Sequence, residues 1–140
     1  MESNNNNKSN FDNLNLNENL LKGVYLYGFT QPSPIQIKGI TSINTGKDCL
    51  LQSQSGTGKT ATYLLGVMNR LAEEKSCQGI VITPTRELTS QVYDVAMNLA
   101  KYTKYNVVKC IGGTNIGQSK NELRTATLVI GTLGRLYHMI

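Results

Sequence analysis

The chain has no tryptophan, only two phenylalanines and a single histidine in 140 residues. Its three cysteines, Cys49, Cys77 and Cys110, are odd in number, far apart and free of any C-x-x-C spacing. They therefore supply neither a disulfide framework nor a zinc-ligand set, and read as buried thiols of a reducing compartment. No apolar run approaches the roughly 20 residues that a membrane-spanning helix needs. The N-terminus is rich in asparagine rather than basic and then hydrophobic, so no secretory leader is read there. A soluble, intracellular chain with no membrane contact is expected, in the cytoplasm or the nucleus. Acidic residues are also sparse: nine Asp and Glu stand against fourteen Lys and Arg, a net charge of +5. That excess suits a polyanion, but the basic residues are spread from Lys8 to Arg135, so charge alone identifies no partner.

What the chain does have is enough apolar side chains, 39% of the residues, to bury one core. Residues 1–10 hold almost none of them and are expected to be a disordered Asn-rich tail. Leu20, Leu21, Val24 and Tyr25 recur at helical spacing ahead of the turn Phe29-Thr30-Gln31-Pro32. Ser33 can accept the free amide hydrogens of a helix whose first position, Pro34, needs no N–H, which predicts a helix over 34–44 with Ile37, Ile40 and Ile43 facing inward. The pattern then alternates. Strands are expected at 48–53, 79–83, 106–111 and 127–130, and helices at 58–74, 86–101, 117–123 and from about 132. Four apolar strands separated by helices predict an α/β fold with a doubly wound parallel sheet.

One segment carries recognisable chemistry. Ser53-Gln54-Ser55-Gly56-Thr57-Gly58-Lys59-Thr60 follows the apolar run Cys49-Leu50-Leu51 and opens a long helix, the setting of a phosphate-binding loop. Gly56 and Gly58 let the backbone turn until successive amides converge on a phosphate, while the following helix aims its positive end at the same anion. Lys59 would reach the β- and γ-phosphates, and the Thr60 hydroxyl would supply one ligand to Mg²⁺. Ser53 occupies the first position of the pattern, where Gly is usual. A dinucleotide reading of Gly56-x-Gly58-x-x-Ala61 fails because no acidic ribose contact follows about 20 residues on, where the chain reads Ile80-Val81-Ile82-Thr83-Pro84.

Upstream, Gly28-Phe29-Thr30-Gln31-Pro32-Ser33-Pro34-Ile35-Gln36 resembles the Q motif of the DEAD-box helicases. The resemblance continues in order through Pro84-Thr85-Arg86-Glu87-Leu88, Gly112-Gly113 and Thr132-Leu133-Gly134-Arg135, and covers about residues 11–140. Within that family the chain looks most like the eukaryotic translation initiation factor 4A branch. The resemblance implies a partial RecA-like P-loop NTPase domain, with 11–36 as the adenine-recognition region and 37–140 as the front of the ATP-binding domain. It implies ATP and Mg²⁺ as cofactors and RNA, held by its backbone, as partner. Phe29, Gln31 and Gln36 would serve the adenine, because a glutamine amide can donate to N7 and accept from the N6 amino group together. Ser55, Gly56, Thr57, Gly58, Lys59 and Thr60 would hold the phosphates. Phe11, seventeen positions before Gly28, stands where the family has an aromatic residue. Pro84, Thr85, Arg86, Gly113, Thr132, Gly134 and Arg135 would line an RNA path, with the two arginines as the strongest phosphate contacts. Thr89 and Leu133 depart from the usual Ala and Pro.

Hydrolysis in this family needs an Asp-Glu pair beyond a further buried strand, and after Asp94 the only acidic residue here is Glu122. The expectation is therefore the nucleotide-binding front of an RNA helicase, not competent to hydrolyse ATP by itself and marginally stable or prone to aggregate along an open sheet edge. The alternatives are a non-catalytic module that binds ATP or RNA, and a P-loop kinase or GTPase in which Gln36 would have no role.

Overall fold

The computed structural model describes residues 10–56, 58–74 and 76–139. Residues 1–9 of the expected 1–10 tail and the phosphate-loop residue Thr57 lie outside them.

Three strands form a parallel sheet: β1 (Gly79–Thr83), β2 (Val107–Cys110) and β3 (Leu128–Thr132), in the order β1-β3-β2. β3 pairs on both sides, with Leu128 opposite both Gly79 and Val107. A central parallel strand is buried on both faces, which is why Leu128, Val129 and Ile130 run as continuous apolar sequence. Leu128 and Ile130 join the larger core with residues of α1 (Glu18–Tyr27), α3 (Lys59–Met68) and α4 (Arg86–Leu99). Val129 faces the opposite layer, where it packs with Leu123 of α5 (Ile116–Leu123) and Leu136 of α6 (Leu133–Met139). Helices thus cover both faces of the sheet, as the alternating pattern predicts.

Helix α2 (Pro34–Asn44) forms over the predicted residues because Ser33 and Gln36 cap it reciprocally: the Gln36 amide N–H donates to Ser33 Oγ at 3.4 Å and the Ser33 N–H to Gln36 Oε1 at 2.9 Å. Of its inward face, Ile40 is fully buried and Ile37 and Ile43 are half-buried. α2 lies directly on α3. A methyl group on Gly39 would sit 2.3 Å from Thr62 Cγ2, and one on Gly66 would sit 2.6 Å from Ile43 Cδ1, so the two backbones approach only because these positions lack a side chain.

Three expectations are corrected. Residues 48–53 do not form a strand: they take no place in the sheet, and Leu50 is 92% exposed. Apolar character alone cannot make a strand without a neighbour to take its backbone hydrogen bonds. Helix α3 stops at Met68 rather than 74, where Asn69 closes it. Asn69 Oδ1 accepts from the Asn17 N–H at 2.7 Å, and Nδ2 donates to the Asn15 carbonyl at 3.0 Å and to Asn44 Oδ1 at 3.1 Å, so one side chain joins three segments. Of the cysteines only Cys110 is buried, with Cys49 and Cys77 exposed. Burial raises the Cys110 thiol pKa, against a smaller lowering by the nearby Arg135 charge.

Candidate nucleotide site and nucleic-acid cleft

The loop between the 48–53 segment and α3 brings the first set of predicted residues together. Gly56 and Gly58 have φ of 81° and 89°, the left-handed region open to glycine, so the chain curls before entering α3. α3 begins at Lys59 with Gly58 as its N-cap and no side-chain capping bond. Its first amides are thus left for another acceptor, which suits an anion at this helix end. Lys59 folds over the loop, Nζ donating to the Ser53 carbonyl at 2.7 Å. Ser55 and Gly56 are exposed at the tip. Burial raises the pKa of the Tyr63 phenol, against a smaller lowering by the Thr60 side chain.

Gln36 joins this loop from α2. It is buried, and its Nε2 lies 2.5 Å from where a Cβ on Gly58 would stand. Phe29 is half-buried in an aromatic group, with ring centroids 5.2 Å from Tyr27 and 6.1 Å from Phe11. Phe11 is wholly buried and also meets Tyr25 edge-on at 6.3 Å, so it acts as the backing of Phe29. Gln31 is exposed in the bend before α2. The donor set fits a nucleotide phosphate: uncapped amides, one lysine and one hydroxyl. Among the described residues no three His, Cys, Asp or Glu side chains gather to hold a metal ion.

The second set gathers at the C-terminal ends of the strands. Arg86, Gly112, Gly113, Thr132, Gly134 and Arg135 line one cleft of about 360 Å³. His138, which no sequence pattern singled out, lines it too. Gly113 has φ of 88°, the left-handed region open to glycine, and Arg86 lies beside it, its Nη1 3.5 Å from the position a Cβ would take. Pro84 and Thr85 are exposed but stand outside the cleft lining. Thr85 is the N-cap of α4, its hydroxyl accepting from the Leu88 N–H at 3.1 Å. Arg135 turns toward the loop before α5: Nη2 donates to the Thr114 carbonyl at 2.7 Å, to Thr114 Oγ1 at 3.3 Å and to Ser119 Oγ at 3.5 Å, while Nε is buried with no partner among the described residues. Sequence reading did not anticipate these acceptors, which lie 21 and 16 positions before the arginine.

Thr89 is fully buried, donates to the Thr85 carbonyl at 2.9 Å and shares a short hydroxyl hydrogen bond with Thr83. A threonine in place of alanine thus ties the start of α4 to the end of β1. Leu133, at the first position of α6, is 63% exposed.

The sequence pattern of the DEAD/DEAH box helicases matches residues 33–140. The chain belongs to this family. Over 133 residues it is 45% identical to the ATP-dependent RNA helicase eIF4A of Mycosarcoma maydis and 44% identical to eukaryotic initiation factor 4A of Drosophila melanogaster. It is 43% identical over 132 residues to the ATP-dependent RNA helicase FAL1 of Meyerozyma guilliermondii. These matches cover 93% to 94% of the chain but only 32% to 33% of the relatives, so the chain spans about a third of their length. Among solved structures, a DEAD box protein of Methanococcus jannaschii aligns with a TM-score of 0.84 at 35% identity, over 91% of this chain and 35% of the other. A Saccharomyces cerevisiae Dbp5 variant bound to RNA and ADP BeF3 aligns with a TM-score of 0.81 at 34% identity, over 94% of this chain and 34% of the other. The parallel sheet of this DEAD-box chain is accordingly part of a RecA-like helicase domain.

Proposed function

We propose that this chain binds ATP at the loop preceding α3 and RNA backbone in the cleft at the strand ends, as the front part of an ATP-dependent RNA helicase motor. The observation that carries the reading is the contact of Gln36 with Gly58. It brings a side-chain amide, donor and acceptor together, beside the phosphate loop, so that base and phosphates of one nucleotide could be held at the same place. Lys59 would exchange its bond with the Ser53 carbonyl for the β- and γ-phosphates, a charge-assisted contact of greater strength. The Thr60 hydroxyl would be one ligand of a nucleotide-bound Mg²⁺, whose charge would offset that of the phosphates.

Phe29 would meet a face of the adenine, backed by Phe11. Arg86 and the Gly112-Gly113 turn would hold phosphates and riboses without reading base edges. The names of the relatives support RNA as the polymer and translation initiation as a setting for the parent activity. These 140 residues hold no Asp-Glu pair, so binding rather than turnover is what they are equipped for. Titration calorimetry of the chain with ATP, GTP and Mg²⁺ tests the reading: ATP should bind more tightly than GTP, and Lys59→Ala should remove most of the affinity. Equal affinity for the two nucleotides, or unaltered ATP binding by Lys59→Ala, would reject it.

A further inference from the structure

The Gly112-Gly113 turn follows β2 and lines the cleft. Thr114 Oγ1 donates to the Ile111 carbonyl at 3.0 Å and lies 3.2 Å from Ser119 Oγ, and these contacts close the turn only on itself and on α5. Its side-chain link to the β3–α6 junction comes from Arg135, whose Nη2 donates to the Thr114 carbonyl at 2.7 Å. The arginine projects from a fixed point, since α6 follows β3 with no intervening loop. Gly131 at that junction lies so close to β2 that a Cβ would stand 2.3 Å from the Cys110 carbonyl oxygen. Arg135 therefore connects three structures: the β3–α6 junction, the glycine turn and, through Ser119, helix α5. Arg86 differs in every respect. It is exposed, lies over Gly113, and makes no hydrogen bond or ion pair among the described residues.

We infer that the two arginines of the cleft have different tasks: Arg86 meets RNA phosphate, and Arg135 is a positioning residue that holds the Gly112-Gly113 turn beneath Arg86. A guanidinium whose Nη2 is shared among a carbonyl and two hydroxyls, and whose Nε is shut from solvent, has that arm of its fork committed to the protein. Leaving it for a phosphate would release the turn that shapes the cleft. The inference rests on the RNA reading of this cleft, but its structural half can be measured without RNA.

The test uses the whole chain, fluorescein-labelled oligouridylate and fluorescence anisotropy across a range of salt concentrations. On a single strand, every phosphate that the protein neutralises adds about 0.7 to the slope of log affinity against log salt. Arg86→Ala should weaken binding and lower the slope by about that amount, as for one phosphate. Arg135→Ala should weaken binding with the slope unchanged, and should speed amide exchange in residues 112–115. Arg135→Lys, which keeps the charge and loses the fork, should behave like Arg135→Ala. Restoration of affinity by the lysine, a slope reduced as much as by Arg86→Ala, or unaltered exchange in the turn would overturn the assignment. Should Arg135→Ala fail to fold, Arg135→Lys carries the same comparison: it should loosen the turn and weaken binding at constant slope, and unchanged exchange at 112–115 in it would count against the brace. If the unmodified chain does not bind the oligonucleotide at all, the RNA reading falls. Exchange at 112–115 in Arg135→Lys then decides the brace by itself, faster exchange supporting it and unaltered exchange overturning it.

Discussion

The side-chain amide of Gln36 rests against Gly58, so closely that a methyl group on Gly58 would stand 2.5 Å from Gln36 Nε2. Helix α2 and the phosphate loop are thereby set against each other by an absent side chain. Gly58 also has φ of 89°, where an L-residue is disfavoured by about 1–2 kcal/mol. Gly58→Ala should therefore both strain the loop and displace Gln36, and lower ATP affinity by at least about tenfold, equivalent to about 1.4 kcal/mol. Calorimetry measures this, and Gly58→Ala combined with Gln36→Ala should not recover the affinity, because the backbone strain remains. Wild-type affinity in Gly58→Ala would show that the loop does not need this conformation.

Gln36 has two tasks that a single substitution can separate. Its Oε1 accepts from the Ser33 N–H at 2.9 Å, half of the capping box of α2, while its NH₂ group is the donor a purine N7 would require. Gln36→Glu keeps the acceptor and loses the donor. Its urea midpoint should stay near that of the unmodified chain, whereas Gln36→Ala should cost about 1 kcal/mol, the usual value of a cap. Gln36→Ala should bind ATP and GTP alike, whereas Gln36→Glu, which loses the donor to the N7 that both purines share but keeps the acceptor for the adenine N6 amino group, should bind both more weakly and still prefer ATP. A Gln36→Ala chain that still prefers ATP would remove Gln36 from base recognition.

The helix starts were legible because each rests on local chemistry: Ser33 with Pro34 and Gln36, Thr85 ahead of Arg86, and glycines around Lys59 all act within a few residues of the element they begin. The candidate functional residues were legible for the same reason, as their motifs lie at transitions into helices. What escaped depends on distant neighbours. The 48–53 stretch has strand composition, but pairing is a property of the whole sheet, and the pattern of one segment cannot report it. Asn69 ends α3 through partners at Asn15, Asn17 and Asn44, up to 54 positions away. Arg135 was readable as a basic residue of a known motif but not as a brace, since its acceptors Thr114 and Ser119 carry no signal of their own.

Among the described residues strand β1 has a neighbour on one edge only, and two isoleucines on it, Ile80 and Ile82, are 57% and 58% exposed. An apolar strand of this type, GIVIT, with no charge along it, is a template for pairing with other chains. Ile82→Lys should leave the stability within about 0.5 kcal/mol of the parent, because the side chain is largely in water. It should also raise the concentration at which the chain stays monomeric in light scattering. Equal self-association of the variant and the parent would move the liability away from this edge.

Leu133 occupies the first position of α6, where the resemblance calls for proline, and it is 63% exposed. A first-turn helical residue already has φ near the value a proline ring fixes, and its N–H needs no intrahelical partner. Replacing an exposed side chain there removes little packing, while the proline narrows the unfolded ensemble. Leu133→Pro should thus stabilise the chain by about 0.4–1 kcal/mol, seen as a higher thermal midpoint. The junction it stiffens carries Gly134 and Arg135, so amide exchange at 112–115 should slow as well, because the brace would swing less about its root. A lower midpoint would mean that the Leu133 N–H is committed to the sheet end, and that the departure from proline is built into the way β3 passes into α6.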